Sequence, residues 1–153
     1  MKWTVNNVLT HKLHNESDEV VALIKHRQNE YVGYSTDRTP FLVVTCSDGQ
    51  RFAVNAKGNE FDATMELADN GKNAGFRPAR ADCMNFVWDG SPTCIKQTER
   101  REFVLSAANI SGRISGMLGM KATIDVSSED ETLAALLYIL AYIMLHEDDV
   151  DIV

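Results

Sequence analysis

Residues 133–145 read Leu133-Ala134-Ala135-Leu136-Leu137-Tyr138-Ile139-Leu140-Ala141-Tyr142-Ile143-Met144-Leu145, thirteen in a row with no formal charge. A helix on the surface of a protein shows a polar stripe at a period of 3.6, and a helix formed here is apolar all the way round. It must therefore be enclosed, by protein or by lipid. Thirteen residues rise only about 20 Å, short of a hydrocarbon layer of roughly 30 Å. Both flanks are acidic, Glu129, Asp130 and Glu131 before and Glu147, Asp148 and Asp149 after, where a membrane span carries basic anchors. The segment is expected to be a helix buried inside the protein, with no transmembrane span.

Its start is marked by Ser128 and, three residues on, Glu131, the spacing of a capping box, with Glu129 and Asp130 adding the negative charge a helix N-terminus favours. These residues place a core helix over 129–146. His146 closes it, where positive charge suits the dipole. Burial stabilises by roughly 1.5 to 3 kcal/mol for each large side chain, so the helix is expected to be central to the fold. Tyr138 and Tyr142 lie one turn apart, and the sequence leaves open whether their hydroxyls find partners inside or reach an end of the fold.

Everything before residue 127 carries strand patterning in short runs broken by turn chemistry. The candidate strands lie near 2–10, 19–26, 30–35, 41–46, 51–56, 61–68, 84–88, 93–98, 101–107, 109–118 and 120–126. Ser47-Asp48-Gly49-Gln50 supplies an Asp-Gly hairpin turn. Asn70-Gly71 opens the least periodic stretch, 71–83, expected to be the longest loop. In 61–68, Phe61, Ala63, Met65 and Leu67 alternate with Asp62, Thr64 and Glu66, a sheet with one wet face. In 109–126, Ile110, Gly112, Ile114, Gly116 and Leu118 share a face, then Met120, Ala122, Ile124 and Val126. Glycine inside a strand implies close approach of something bulky, and the terminal helix is the expected object. A wall on every side of that helix follows if the strands curl round it. The predicted fold is mainly β with one helix (α+β), a closed antiparallel β-barrel around a buried hydrophobic C-terminal helix, one domain over 1–153 with strands within 2–126.

Composition narrows function. A formal net charge of −7 and a pI near 5.0 argue against nucleic acid, which needs an extended positive surface. Cys46, Cys83 and Cys94 are odd in number and far apart, with no zinc spacing, which fits reduced thiols and a cytoplasmic location. Residues 1–10 lack the apolar run of a signal peptide.

The segment Gly112-Arg113-Ile114-Ser115-Gly116-Met117-Leu118-Gly119, with 121–126 and the apolar stretch 133–145, resembles the final hairpin and core helix of the tubby C-terminal-like superfamily. That superfamily includes the phospholipid scramblases, the plant LURP-one-related proteins and small bacterial relatives. The likeness runs through the whole chain in order and is specific in the last third. It implies a closed barrel around a hydrophobic C-terminal helix and no catalytic motif. Eukaryotic tubby domains are larger and bind phosphoinositide headgroups through lysine and arginine, whereas this chain is short and acidic. Scramblases place an acidic calcium-associated segment before their helix, a position resembled by Asp125, Glu129, Asp130 and Glu131. Those four do not form a twelve-residue EF-hand loop, and helix capping accounts for their charge.

The most basic local cluster is Lys96, Arg100 and Arg101, at a turn near 98–101, and it could meet a phosphate-bearing headgroup from a barrel rim. Arg77 and Arg80, flanking Pro78, form a second candidate. Lys25, His26 and Arg27 are discounted, since adjacent strand residues alternate faces. His11 and His14 fall on opposite faces, which spoils a shared metal site. GxSxG, HExxH, P-loop and GxGxxG patterns are all missing, and a thiol dyad requires the fold to bring Cys83 or Cys94 to a histidine. The expectation is a non-enzymatic binding domain, with no catalytic residue, cofactor or metal, contacting anionic phospholipid headgroups or a protein partner. The alternative is a small enzyme or small-ligand carrier with a cleft at one barrel mouth.

Overall fold

A computed structural model describes residues 1–6, 10–48, 50–68, 80–117 and 119–150. Twelve antiparallel strands follow one another round a closed barrel, each paired with its neighbours in sequence, and the ring shuts where the first strand meets the last. In order they are β1 Lys2–Asn6, β2 His11–His14, β3 Val20–Arg27, β4 Glu30–Tyr34, β5 Pro40–Asp48 and β6 Arg51–Ala56. They continue as β7 Asn59–Ala68, β8 Arg80–Trp88, β9 Ser91–Glu99, β10 Glu102–Ala107, β11 Ser111–Ser115 and β12 Lys121–Val126. The helix α1, Glu131–Val150, lies inside.

Alternation builds the barrel wall. On β6, Phe52, Val54 and Ala56 are buried while Arg51, Ala53 and Asn55 are exposed, and on β7 Ala63 and Met65 are buried while Asp62, Thr64 and Glu66 face out. The side chains of Leu67 and Leu118 lie outside the described residues. Inward residues meet an apolar helix on every side: each side chain from 132 to 141 is buried, and α1 packs against β3, β5, β8, β11 and β12. Trp3 and Val5 on β1 and Ile124 on β12 are sealed into the same core. Closure pairs Trp3 with Ile124 and Val5 with Ala122, so the two ends of the strand region are locked together. The α-ammonium of Met1 donates to the carbonyl of Val126 at 2.6 Å.

Several expectations need correction. Within the stretch near 2–10 the described strand is β1, Lys2–Asn6, and β2 at His11–His14 was not expected, because it is only four residues long with a single buried side chain, Leu13, and shows no period. Strand β8 begins at Arg80, so 80–83 are sheet; residues 71–79 lie outside the described region. The helix spans 131–150 and not 129–146, so His146 does not close it, and its cap is Asp130, whose carboxylate accepts the N–H of Thr132 at 2.9 Å. Ser128 lies two residues earlier, and its hydroxyl accepts the N–H of Asp130 at 3.1 Å. A charged acceptor suits the positive helix end better than a hydroxyl, and the added residues let the chain bend from β12 into the barrel. Met120 is exposed in the turn, outside the alternation of β12.

The glycines of β11 have a different cause from the one expected. A Cβ on Gly112 would sit 2.4 Å from Val126 Cγ1 and 2.7 Å from the Asp125 carbonyl oxygen, so the object that approaches is the neighbouring strand β12. Gly116 lies past the strand end with φ of 72°, a left-handed turn residue.

Candidate functional site

In an up-and-down barrel, alternate connections lie at opposite ends. One end holds the links β2–β3, β4–β5, β6–β7, β8–β9 and β10–β11 and the step from β12 into α1. Two of these are two-residue turns with both residues at positive φ, Lys57-Gly58 and Asp89-Gly90. Asp130 lies beside them, in a recess shared with Asn59 and Gly90, so the helix enters here. It leaves by the other end, where the links β1–β2, β3–β4, β5–β6, β7–β8, β9–β10 and β11–β12 lie.

At the helix-exit end, side chains of α1 and of the wall close the mouth. The Tyr138 hydroxyl and His11 Nδ1 are hydrogen-bonded at 2.6 Å, which answers for one of the two tyrosines. The His11 ring meets Tyr142 edge-on at 5.1 Å, Tyr142 meets Tyr31 at 5.9 Å, and Tyr31 stacks on His26 at 4.0 Å. No water-sized space is left between them. Burial pushes the Tyr142 hydroxyl above the usual phenol range, so it stays a neutral hydrogen-bonding group.

Around this aromatic plug one described turn, Arg100-Arg101, and several strand ends carry positive charge. Arg100 and Arg101 form the two-residue turn between β9 and β10 and are both exposed. Their turn is held from beneath: the buried Gln97 donates Nε2–H to the Arg100 carbonyl at 3.1 Å, and the N–H of Met117 donates to the Arg101 carbonyl at 3.3 Å. Arg27 ends β3, Arg51 opens β6 and Lys121 opens β12, all exposed at this same end, with Lys12 and Lys25 close behind. Glu30, Glu66, Glu99 and Glu102 are the acidic counterparts among described side chains, β5 ends here at Asp48, and the last turn of α1, which leaves by this end, carries Glu147, Asp148 and Asp149.

Of the residues singled out from sequence, Arg100 and Arg101 stand on the rim. Lys96 is exposed further down the outer wall, in register with Cys83. Arg80 is the first residue of β8, so its backbone belongs to this end, and Arg77 lies outside the described residues. The side chain of His146 is also outside them. Lys25, His26 and Arg27 do alternate: the His26 ring turns to Tyr31 and Lys25 Nζ sits 5.7 Å over the Tyr34 ring. Arg27 alone of the three ends its strand on the rim, because rim residues gather by strand order and not by shared face. No local signal in the sequence groups Lys12, Arg27, Arg51 and Lys121; only the strand order does.

The opposite end is acidic. Asp18, Glu19, Asp37, Asp89, Glu129 and Glu131 are exposed on its links, against Lys2, Arg38 and Lys57. Ser35 and Thr39 hydrogen-bond the Asp37 carboxylate and hold it below the usual range. Among the described residues no group of three or more His, Cys, Asp and Glu is placed to hold a metal ion, and Asp125 and Asp130 sit apart in wall and cap.

Cys83 has a carboxylate partner and not a histidine. Burial first, and then the Glu66 carboxylate that accepts its S–H at 3.2 Å, push the thiol up to about 12. Only the thiolate attacks an alkylating agent, so at pH 8 Cys83 is expected to react with iodoacetamide on the order of a thousandfold more slowly than an ordinary thiol. Mass mapping of the labelled chain checks this, and fast labelling of Cys83 contradicts it. The unfolded chain ionises near the ordinary value of 9.0 while the folded chain keeps the proton, so this thiol lowers stability as pH rises from 9.0 to about 12.

Among the described residues no helix is long and apolar enough to cross a membrane. No family model, curated protein or solved structure matches the chain.

Proposed function

We propose that the chain is a non-enzymatic binding domain of tubby-like type that applies its helix-exit end to an anionic surface, best a membrane bearing anionic phospholipid headgroups. One observation carries this: strand order collects the exposed cations Arg27, Arg51, Arg100, Arg101 and Lys121 at one end of a molecule whose net charge is −7. A chain with that net charge gains nothing from diffuse attraction to anions, so a local patch must do the work. Lysines and arginines at a membrane surface contribute about 1 kcal/mol each, and tyrosines such as Tyr31 and Tyr142 at the centre of the patch suit the headgroup layer.

A barrel around a C-terminal helix is the architecture that the resemblance to the tubby-like group implies. The alternative of a carrier or small enzyme needs a cleft at a mouth, and His11, Tyr31, Tyr138 and Tyr142 fill the one at the helix-exit end.

Vesicle flotation tests the proposal. Binding is expected to vesicles with about 30% phosphatidylserine and not to pure phosphatidylcholine, and to fall as salt rises from about 0.1 M to about 1 M. Arg100→Glu with Arg101→Glu removes two attractions and adds two repulsions, so affinity should drop at least about tenfold. Equal recovery with both vesicle types, or a double variant that binds like the parent, would sink the proposal.

A further inference from the structure

The barrel wall parts between β7 and β8. Their ladder runs from Ala68 and Arg80 only as far as Thr64 and Asn85, whereas the ladders on either side continue to their turns, β6–β7 to Ala56 and Asn59 and β8–β9 to Trp88 and Ser91. From Thr64 and Asn85 to the helix-entry rim the two hairpins therefore stand apart. A recess of about 500 Å³ opens at their tips, a volume typical of small-ligand sites. Phe61 and Trp88 line it, both half-buried, with their rings edge-on at 6.1 Å. Glu60, Asp89 and Asp130 line it as well, and among the described residues no basic side chain does.

We infer that this recess binds a guanidinium group. Aromatic faces attract a flat cation, and carboxylates offer paired acceptors to its fork of N–H donors. A quaternary ammonium would use the rings and bring the carboxylates no donor, and a primary ammonium lacks the flat face that stacks. Asp130 is committed to the helix: it accepts the Thr132 N–H at 2.9 Å and offsets the positive end of α1, which would otherwise oppose a cation. Charge for the ligand therefore comes from Glu60 and Asp89. Both are exposed, and among the described residues neither is in an ion pair. Asn55 Nδ2 donates to Glu60 Oε1 at 3.5 Å, and Lys57, on the adjoining turn, does not line the recess. The inference does not rest on membrane binding, since the site lies at the opposite end of the barrel and takes a cation.

Nitrogen-15 NMR of the whole chain tests it. The chain has two tryptophans, and Trp3 is wholly buried in the core, so its indole N–H signal is an internal reference for that of Trp88. Titrated ethylguanidinium should move the Trp88 signal along a saturating curve, with a Kd on the order of 1 mM, and leave that of Trp3 in place. Ethylurea is flat and uncharged, ethylammonium charged and not flat, and each should bind at least about tenfold more weakly. Butylguanidinium and N-acetylarginine amide tell a free cation from the arginine of a peptide by which binds more tightly, and binding of either supports the inference. Glu60→Gln with Asp89→Asn should weaken ethylguanidinium at least about tenfold. Both side chains are exposed, and asparagine tolerates the φ of 49° at position 89, so this variant should keep the parent's thermal midpoint. A Trp88 signal that stays still, a control that binds as well as ethylguanidinium, or a double variant with the parent's affinity overturns the inference.

Discussion

Leu140→Asp should leave a chain with no cooperative unfolding transition. Leu140 is wholly buried on a helix that is itself inside the barrel, so a carboxylate there has neither water nor a partner. An uncompensated buried charge costs roughly 3 to 5 kcal/mol even where the surroundings relax, and a domain of this size has about 5 to 15 kcal/mol in all. Leu140→Ala separates charge from packing: losing the buried methyls and leaving a cavity should cost about 2 to 5 kcal/mol while the transition stays cooperative. Urea unfolding followed by far-ultraviolet circular dichroism reads both. A Leu140→Asp protein with the parent's midpoint would mean that the helix is not enclosed.

Gly112→Ala should destabilise by about 3 kcal/mol or more, at the upper end of what overpacking does, because two neighbours block the new methyl. Val126 Cγ1 would stand 2.4 Å from the added carbon and the Asp125 carbonyl oxygen 2.7 Å. The first can be trimmed and the second cannot. Val126→Ala in the same chain should therefore recover part of the loss, with the backbone clash left in place. Gly33→Ala is the control: its nearest neighbour is the Phe41 ring at 3.2 Å, a side chain able to give way, so its midpoint should fall much less. Equal losses at Gly33 and Gly112 in urea titrations would show that the approach of β12 is not the cause.

The enclosing architecture was legible because one segment admitted few alternatives: an all-apolar helix too short for a bilayer, preceded only by strands. Strand positions followed where alternation ran for five residues or more, as in β6 and β7. They failed where it did not, as in β2, whose one buried side chain, Leu13, cannot announce a period. Gly112 on β11 does mark a close approach, but by β12 and not by the helix, because sequence shows that space is scarce and not what fills it; Gly116 belongs to the turn. The positive φ angles of the turns Lys57-Gly58 and Asp89-Gly90 give the helix-entering end its tight form. Arg100 and Arg101 were found as neighbours in sequence. Arg27, Arg51 and Lys121 join them only through the order of strands round the ring, and the bond from Tyr138 to His11, 127 residues apart, has no local trace at all.

The seam between β1 and β12 constrains how the molecule can be assembled in time. The helix comes after every strand in the chain, yet it lies inside the ring they form, so a cylinder already shut would have to be threaded by a rod of oily side chains. Wrapping is the simpler route: the curved sheet closes around the helix that follows it, and pairing of residues 2–6 with 121–126 shuts the ring. Until then two raw sheet edges stand open, and pairing of such distant segments is slow.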